Sequence, residues 1–496
     1  MTQKIGTSPS WLSKAATAAG KGLTAVGLLF GAGVLTAGCL DRPVAPAIPT
    51  TTNVYINQIR QTGVDKIDLL FMIDNSISMA DKQEILAAAV PVLVQRLIAP
   101  TCVDMNGVPV GNGGVITQAD GTCPKGSNSV PEFKPIKDIH IGLVTSSLGD
   151  HGSNDVCSDA QNADNQANGN PPSFYNDMAQ LLPSVRPAAN LYSWNNSGFL
   201  VWDPRDQTMV LDKHTPQTAN ETDQGTFNKN FTAMVTAAGE HGCGFEASLE
   251  AWYRFLIDPE PVSQMSETGN DPPNMKTPKI VSVRGPDPAD VGPTPDKGFV
   301  HSKTIANNTV LEQRKNFLRP DSLVAIVMLT DENDCSIQDE DGTQGWLVGW
   351  KGGVGKNSFG MPRANSACAN PNDPCCRPCI SGNSKCADNA ADPVCAMGPY
   401  LGTTTMNNED NTNERCYNQK KRFGIDLLYP TSRYSEGLKS LTIHPRFGGP
   451  EVPNPLYASV NGQPPRDSGL VFLAGLVGVP WQDISTMESW QGPHLT

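Results

Sequence analysis

The chain has 496 residues, with 37 basic and 50 acidic side chains and a formal net charge of −13. It has no basic patch to neutralise phosphates, so the composition excludes a typical nucleic-acid-binding protein. Glycine (46 residues) and proline (41 residues) together exceed one sixth of the chain, which predicts long irregular excursions between core elements.

Residues 1–38 have the pattern of a signal peptide. Lysines but no acidic residues precede an apolar run over 22–35, which is too short to cross a bilayer comfortably. The following Leu-Thr-Ala-Gly-Cys resembles a bacterial lipobox, which predicts a lipid on Cys39. Thr36 stands where the strict pattern prefers leucine, so an ordinary secretory signal with a chance cysteine is the alternative. Leu40, directly after the cysteine, resembles an outer-membrane address.

The cysteine count also favours an exported protein. Thirteen cysteines are present, and setting Cys39 aside leaves an even number, which suits disulfides in an oxidising envelope. Sequence alone does not fix the pairs. Cys102 and Cys123 bracket a glycine-rich loop, however, and we expect them to pair with each other.

The first half of the chain predicts a tether followed by core elements and insertions. Residues 39–63 have the composition of a flexible tether. Almost continuous apolar runs at 67–73 and 139–145 are typical of strands buried on both faces of a parallel sheet. The segment 80–98 predicts a helix with Ile85, Ala89, Leu93 and Leu97 on its apolar face. Residues 102–135 are predicted to form an insertion.

The middle of the chain alternates insertions with core elements. Residues 150–225 are polar without a clear period and 258–308 are proline-rich, so both are predicted to be insertions. Helices are expected at 228–238 and 245–257. A further buried strand is expected at 323–329.

The last third is dominated by cysteines. Residues 337–420 hold seven cysteines and few aliphatic side chains, which predicts a disulfide-stapled insertion without a core of its own. Residues 339–342 predict a solvated acidic turn. Cys376 and Cys379 have the C-x-x-C spacing of thiol oxidoreductases and zinc sites, but their polar context favours structural disulfides.

The final segment, 421–496, is expected to complete the core with a strand at 469–476 and to end in a short tail. Strands that alternate with helices predict an α/β fold with a doubly wound, mainly parallel sheet.

Two of the predicted strands end in carboxylates. Asp74, Ser76 and Ser78 form a D-x-S-x-S loop after the first strand, and Asp331 follows the strand at 323–329. Ligands bind beyond the carboxyl ends of parallel strands, and a cation such as Mg²⁺ prefers oxygen ligands. This pattern therefore predicts a divalent metal site, whereas capping of a helix by Asp74 and Ser76 is the simpler alternative.

This combination resembles the von Willebrand factor A (vWA) family and its metal-ion-dependent adhesion site (MIDAS), over 64–336 with insertions. The resemblance implies a Rossmann-like fold in which Asp74, Ser76, Ser78 and Asp331 ligate Mg²⁺ (or Mn²⁺ or Ca²⁺). The family's middle ligand is a threonine before a helix. Here Cys243 or a neighbouring glycine occupies that position. One hypothesis pairs Cys243 with Cys335 as a clamp on the site.

The resemblance implies a non-enzymatic, envelope-anchored module for adhesion or scaffolding. Its metal would bind an Asp or Glu carboxylate of a protein partner. The first alternative is a metal-free structural lipoprotein that binds through its disulfide-rich insertions. The second is a thiol oxidoreductase that uses Cys376 and Cys379. Neither Ser76 nor Ser78 has a base or oxyanion loop recognisable in the sequence, which argues against a serine hydrolase.

Overall fold

The computed structural model describes residues 66–111, 114–118, 121–149, 156–157, 174–203, 223–267, 278–282, 309–339, 345–349, 361–381, 385–400, 410–446, 449–459 and 465–478. The predicted signal peptide, Cys39, the tether and the tail at 479–496 lie outside these ranges. No helix within the ranges combines the length and hydrophobicity that a membrane span requires.

The strands are β1 (Lys66–Ile73), β2 (Cys102–Val103), β3 (Val130–Pro131), β4 (Asp138–Thr145), β5 (Leu200–Trp202), β6 (Val262–Glu267), β7 (Pro278–Ser282), β8 (Leu323–Thr330), β9 (Thr442–Ile443), β10 (Val452–Pro453) and β11 (Val471–Val477). The α-helices are α1 (Ala80–Ile98), α2 (Leu182–Val185), α3 (Gln224–Ala237), α4 (Ser248–Leu256), α5 (Thr309–Phe317), α6 (Gln419–Phe423) and α7 (Thr431–Gly437).

The central sheet has five strands in the order β11-β8-β1-β4-β5. The first four are parallel, and β5 pairs antiparallel with β4. The remaining strands form three separate two-stranded sheets. The predicted α/β class and the mainly parallel sheet are therefore confirmed.

Strand β1 lies at the centre of the sheet, and its side chains alternate between the two faces. Leu70 and Met72 join the apolar cluster that contains α4 and α5, whereas Phe71 and Ile73 join the cluster that contains α1 and α3. A strand buried on both faces has no polar side, which explains the almost continuous apolar run in its sequence.

All four predicted strands are present, as β1, β4, β8 and β11. The region 150–225, predicted to be an insertion throughout, contributes a fifth strand to the sheet. Strand β5 escaped prediction because its three residues are too few to establish an alternating pattern. As an antiparallel strand at the sheet edge, it closes the side of the sheet beyond β4.

The predicted helix at 80–98 is confirmed as α1, and it continues through Pro91. The predicted apolar face is only partly right, because Leu93 and Leu97 pack against the core while Ile85 is 68% exposed. The fully buried residues of α1 are Gln83, Leu86, Val90 and Val94. Gln83 is buried because its Nε2 donates to the carbonyl oxygens of Asp74 (3.1 Å) and Gly239 (2.8 Å).

Six disulfides join all twelve cysteines that follow Cys39. The predicted Cys102–Cys123 pair is confirmed. The hypothesis of a Cys243–Cys335 clamp is wrong, because the pairs are Cys157–Cys243, Cys335–Cys416, Cys368–Cys376, Cys375–Cys386 and Cys379–Cys395. Cys376 and Cys379 thus bond to different partners.

The cysteine-rich region packs against the main body. Ile337, Leu347 and Met361 share an apolar cluster with Cys243 and Phe245, which supplies the core that this region does not form by itself.

The acidic turn predicted at 339–342 is not solvated at its first residue. Asp339 is buried and accepts hydrogen bonds from Arg254 (2.9 Å) and Tyr429 (2.7 Å), with Arg446 also paired to it. A buried carboxylate needs such partners, and they come from α4 and from the C-terminal part of the chain.

The amino ends of the central strands are joined by Arg319, which is buried between two carboxylates. Its guanidinium pairs with Asp68 of β1 (2.8 Å) and with Asp138 of β4, and it donates to the carbonyl oxygen of Ile67 (2.9 Å). This one side chain thereby pairs with two buried carboxylates.

We expect Arg319→Met to destabilise the fold by about 3–5 kcal/mol, because Asp68 and Asp138 would stay buried after losing the guanidinium that pairs with both. The matched control is Arg96→Met, which breaks the exposed pair with Glu132 and should cost less than about 1 kcal/mol. Urea denaturation measures both. Equal losses in the two variants would contradict the assigned role of Arg319.

Candidate metal centre

Three loops meet at the carboxyl edge of the central sheet because its backbone pairing continues past the strand ends. Asp74 N donates to Leu329 O (2.9 Å), and Ser146 N donates to Ile73 O (3.1 Å). The loops that follow β1, β4 and β8 therefore begin side by side, at the edge where parallel sheets bind ligands.

The Asp74 carboxylate accepts hydrogen bonds from its own loop, from the loop after β4 and from the last residue of β8. Oδ1 accepts from Ser76 N (2.8 Å) and Ser146 Oγ (3.3 Å), and Oδ2 accepts from Thr330 Oγ1 (2.7 Å). Burial raises the pKa of Asp74, and the charge of Asp331 adds to this, while the hydrogen bonds from Ser76 and Thr330 oppose it. Asp74 is thus a rigidly held carboxylate with access to little water.

The two serines connect this loop to Asp331. Ser76 Oγ and Ser78 Oγ lie 3.0 Å apart, and Ser78 Oγ donates to Asp331 Oδ1 (2.9 Å). The structure therefore brings together Asp74, Ser76, Ser78 and Asp331, the four residues that the motif singled out. Their oxygens line one short stretch of the sheet edge.

Lys82, in the first turn of α1, lies beside the same oxygens. Its ammonium group is 3.1 Å from Asp331 Oδ2 and 2.9 Å from Asp81, and it donates to Ser78 O (2.8 Å). The hydrogen bond with Asp81 and then that with Asp331 raise the pKa of Lys82. The ammonium group of Lys82 therefore lies where it would repel a cation bound at these oxygens.

The proposed middle position is not filled by Cys243. This residue forms a disulfide with Cys157, and a sulfur in a disulfide is no longer the thiolate that binds metals. Its backbone N–H instead donates to Ser147 Oγ (2.9 Å). Cys243 therefore supplies no thiolate at the position where the family has its threonine.

Asn75 fixes the neighbouring loop, a role that the motif did not reveal. Its backbone carbonyl accepts from Gly242 N (2.8 Å), and its Oδ1 accepts from Ser147 Oγ (2.8 Å). A Cβ atom on Gly242 would collide with Asn75 Oδ1 and Ser147 Oγ, so this close approach requires glycine.

Two further carboxylates lie near Asp74. Glu246 is 8% exposed. Burial, followed by the charges of Asp74, Glu332 and Asp331, raises its pKa to about 8. Burial and the charges of Asp331 and Asp74 likewise raise the pKa of Glu332. The sequence motif includes neither residue, and the only signal for Glu246 is its place two residues before a helix at this sheet edge.

The donor set of the motif fits a hard cation. Two carboxylates and two hydroxyls supply oxygen atoms, and Mg²⁺ often uses one or two protein carboxylates and keeps several waters. Within the described ranges, no three His, Cys, Asp or Glu side chains converge closely enough to form a ligand cluster by themselves. Water and hydroxyl ligands would therefore complete the coordination.

The raised pKa of Glu246 predicts a pH-dependent stability. Its pKa of about 8 lies above the usual 4.5, so in the absence of cations its ionisation increasingly opposes folding as the pH rises through this interval. We expect Glu246→Gln to melt at a higher temperature than the wild type at about pH 8, with the advantage shrinking towards pH 5.

Melting curves recorded with a chelator across this interval measure the effect. Glu332→Gln is the control, because this side chain is exposed. A Glu246→Gln difference that does not change with pH would contradict the prediction.

Comparison of the chain with protein-family models, with curated proteins and with solved structures found no match.

Proposed function

We propose that this chain is an envelope-anchored, vWA-like module that binds a protein partner through a divalent cation. The observation that supports this proposal best is a group of four residues at the carboxyl edge of a parallel sheet. Hydrogen bonds link its members, Asp74, Ser76, Ser78 and Asp331. This edge is the usual ligand-binding position of such sheets, and the oxygen donors suit Mg²⁺, Mn²⁺ or Ca²⁺.

Each residue has a defined task in this proposal. Ser76 and Ser78 supply hydroxyl oxygens, Asp74 supplies a carboxylate oriented by Thr330 and Ser146, and Asp331 supplies a second carboxylate or holds a coordinated water. A bound cation supplies an open coordination position for an acidic side chain of the partner. No bond is made or broken, so we propose no enzymatic activity.

In this proposal Lys82 lowers the affinity of the site for the cation. In the absence of the metal its ammonium group offsets the charge of Asp331. Its side chain is 39% exposed, so it is able to swing into solvent when a cation arrives. This competition weakens cation binding compared with a site without the lysine.

A second candidate function has specific support. Cys243 is committed to a disulfide, and Lys82 already pairs with Asp331. Both observations favour a metal-free structural lipoprotein that binds through the disulfide-rich insertion at 337–420. The thiol-oxidoreductase alternative is weaker, because Cys376 and Cys379 do not bond to each other.

Cation titration separates the two main candidates. We expect the purified mature protein to bind one Mg²⁺ or Mn²⁺, with heat detectable by calorimetry and a rise in melting temperature. Asp74→Asn keeps the shape of the side chain but removes its charge, and should weaken binding more than tenfold, in line with loss of a principal ligand. Asp426→Asn, an exposed residue, is the control.

An intact fold without any saturable response, or an unchanged affinity in Asp74→Asn, would favour the metal-free candidate. Partner capture that persists in Asp74→Asn at wild-type strength would place the binding surface in the insertion.

Anchoring is tested separately. We expect Cys39→Ser to abolish incorporation of labelled fatty acid and to release the protein from the membrane fraction, because a lipid on Cys39 supplies the membrane affinity. Cys→Ser replacement at Cys102 is the control, since it affects a disulfide but not the lipidation position. Membrane retention of unlabelled Cys39→Ser would contradict lipid anchoring.

A further inference from the structure

Strand β11 forms one edge of the central sheet, and its outer side is open. Its inner side pairs with β8 along the whole strand. Among the residues that the structure describes, no strand pairs with the outer side. The strand has seven residues, all of them apolar, and six of the seven are exposed. Four large side chains are between 36% and 54% exposed: Phe472, Leu473, Leu476 and Val477.

The opposite edge of the same sheet is protected in ways that β11 lacks. Strand β5 has only three residues, and all three are buried. Exposed edge strands of soluble proteins are usually interrupted by proline, charged side chains or bulges, which prevent pairing with another chain. Strand β11 contains no proline and no charged residue, and its register with β8 is continuous. Its outer side is therefore able to accept a further strand.

The backbone of β11 shows which polar groups face outwards. Gly478 N, directly after the strand, donates to Thr330 O of β8 (3.1 Å). Because alternate residues of a strand direct their N–H and C=O groups to the same side, those of Phe472, Ala474 and Leu476 also face β8. The outward-facing groups belong to the remaining residues, Val471, Leu473, Gly475 and Val477.

Antiparallel pairing of β11 with the same strand of a second copy satisfies all of these outward groups. With Ala474 on the two-fold axis, residues 471 and 473 lie opposite residues 477 and 475 of the second copy. The facing pairs are Val471–Val477, Phe472–Leu476, Leu473–Gly475 and Ala474–Ala474. Every pair is apolar, and no like charges face each other, which is the arrangement that stabilises cross-strand neighbours.

We infer that β11 pairs antiparallel with β11 of a second copy of this chain, joining two five-stranded sheets across a two-fold axis. The chain has a net charge of −13, so two copies repel each other at long range. Contact is then most favourable where the surface carries no charge, as along β11. Such a contact is closed, because the same strand of each copy is used once.

This inference is independent of the metal-dependent function, but it has a consequence for the candidate metal centre. In an antiparallel pair the carboxyl ends of the two sheets point in opposite directions. The two candidate centres would therefore lie on opposite sides of the dimer, and each would remain accessible to its own ligand.

Cysteine cross-linking tests the register. Ala474 would face its own counterpart in a pair without hydrogen bonds, where Cα atoms are about 4.5 Å apart, a distance that permits a disulfide. In mature chain carrying Cys39→Ser, Ala474→Cys adds the only free thiol, because disulfides engage the other twelve cysteines. We expect a covalent dimer under mild oxidation. Ala88→Cys, at another exposed alanine, should stay mostly monomeric.

The mass of the mature Cys39→Ser chain, measured by light scattering at about 100 µM, tests the dimer itself. We expect a dimer, and we expect Ala474→Lys to raise its Kd more than about a hundredfold, because two ammonium groups would face each other. Ala474→Glu should act in the same way, and an equimolar mixture of the two variants should restore the dimer. This recovery would show that both variants are folded. Ala88→Lys should leave the mass unchanged.

Three results would overturn the inference. A dimer that persists in Ala474→Lys would place the interface elsewhere. A monomeric chain in which the thiol of Ala474→Cys resists alkylation would indicate that a segment of the same chain covers β11. A monomeric chain in which that thiol reacts freely would leave the edge open to a different partner, such as an extended peptide.

Discussion

The candidate site depends on the parallel register of three central strands. Ile73 lies opposite Thr145 of β4 and Leu329 of β8, so the residues that follow each strand begin at the same level. Two backbone hydrogen bonds, from Asp74 N to Leu329 O and from Ser146 N to Ile73 O, extend the pairing of the three strands by one residue beyond their ends. Asp74 thereby accepts hydrogen bonds from Ser146 and Thr330, which lie 72 and 256 positions away along the chain. A shift in register would disperse them.

Much of the sheet was predictable because burial on both faces leaves a direct trace in the sequence. The runs that became β1, β4 and β8 are almost continuously apolar, with Asp68 in β1 and His140 in β4 as buried exceptions, as is typical of central parallel strands. Which face of helix α1 is buried was not predictable from the sequence in the same way. Gln83 turns inward because it binds carbonyl oxygens from two distant loops, and Ile85 turns outward as a result. Such long-range partners are invisible to periodicity.

The residues of the site also fall into two groups, those that a local sequence motif marks and those that only long-range contacts place. Asp74, Ser76, Ser78 and Asp331 were identifiable, since a local motif and a strand end mark them. Glu246 and Ser146 owe their places to loop contacts between distant segments. Cys243 was misassigned because its disulfide partner, Cys157, lies 86 positions away, and cysteine pairing does not follow from spacing. The position of strand β11 was predictable from its apolar run, but its burial was not, because Leu473 and Leu476 are 41% and 54% exposed.

The charge around the site constrains how an acidic partner could bind. Above the raised pKa of Glu246, at about 8, the carboxylates of Asp74, Asp331, Glu246 and Glu332 together carry more negative charge than a divalent cation and Lys82 offset. Under that condition a partner carboxylate that only approached this edge would be repelled by the net negative charge. Direct coordination reverses the balance, since ligand and metal are then in contact and the surrounding water is excluded. If the partner is acidic, its carboxylate must therefore enter the coordination sphere of the metal, and its affinity must rise and fall with occupancy of the cation site.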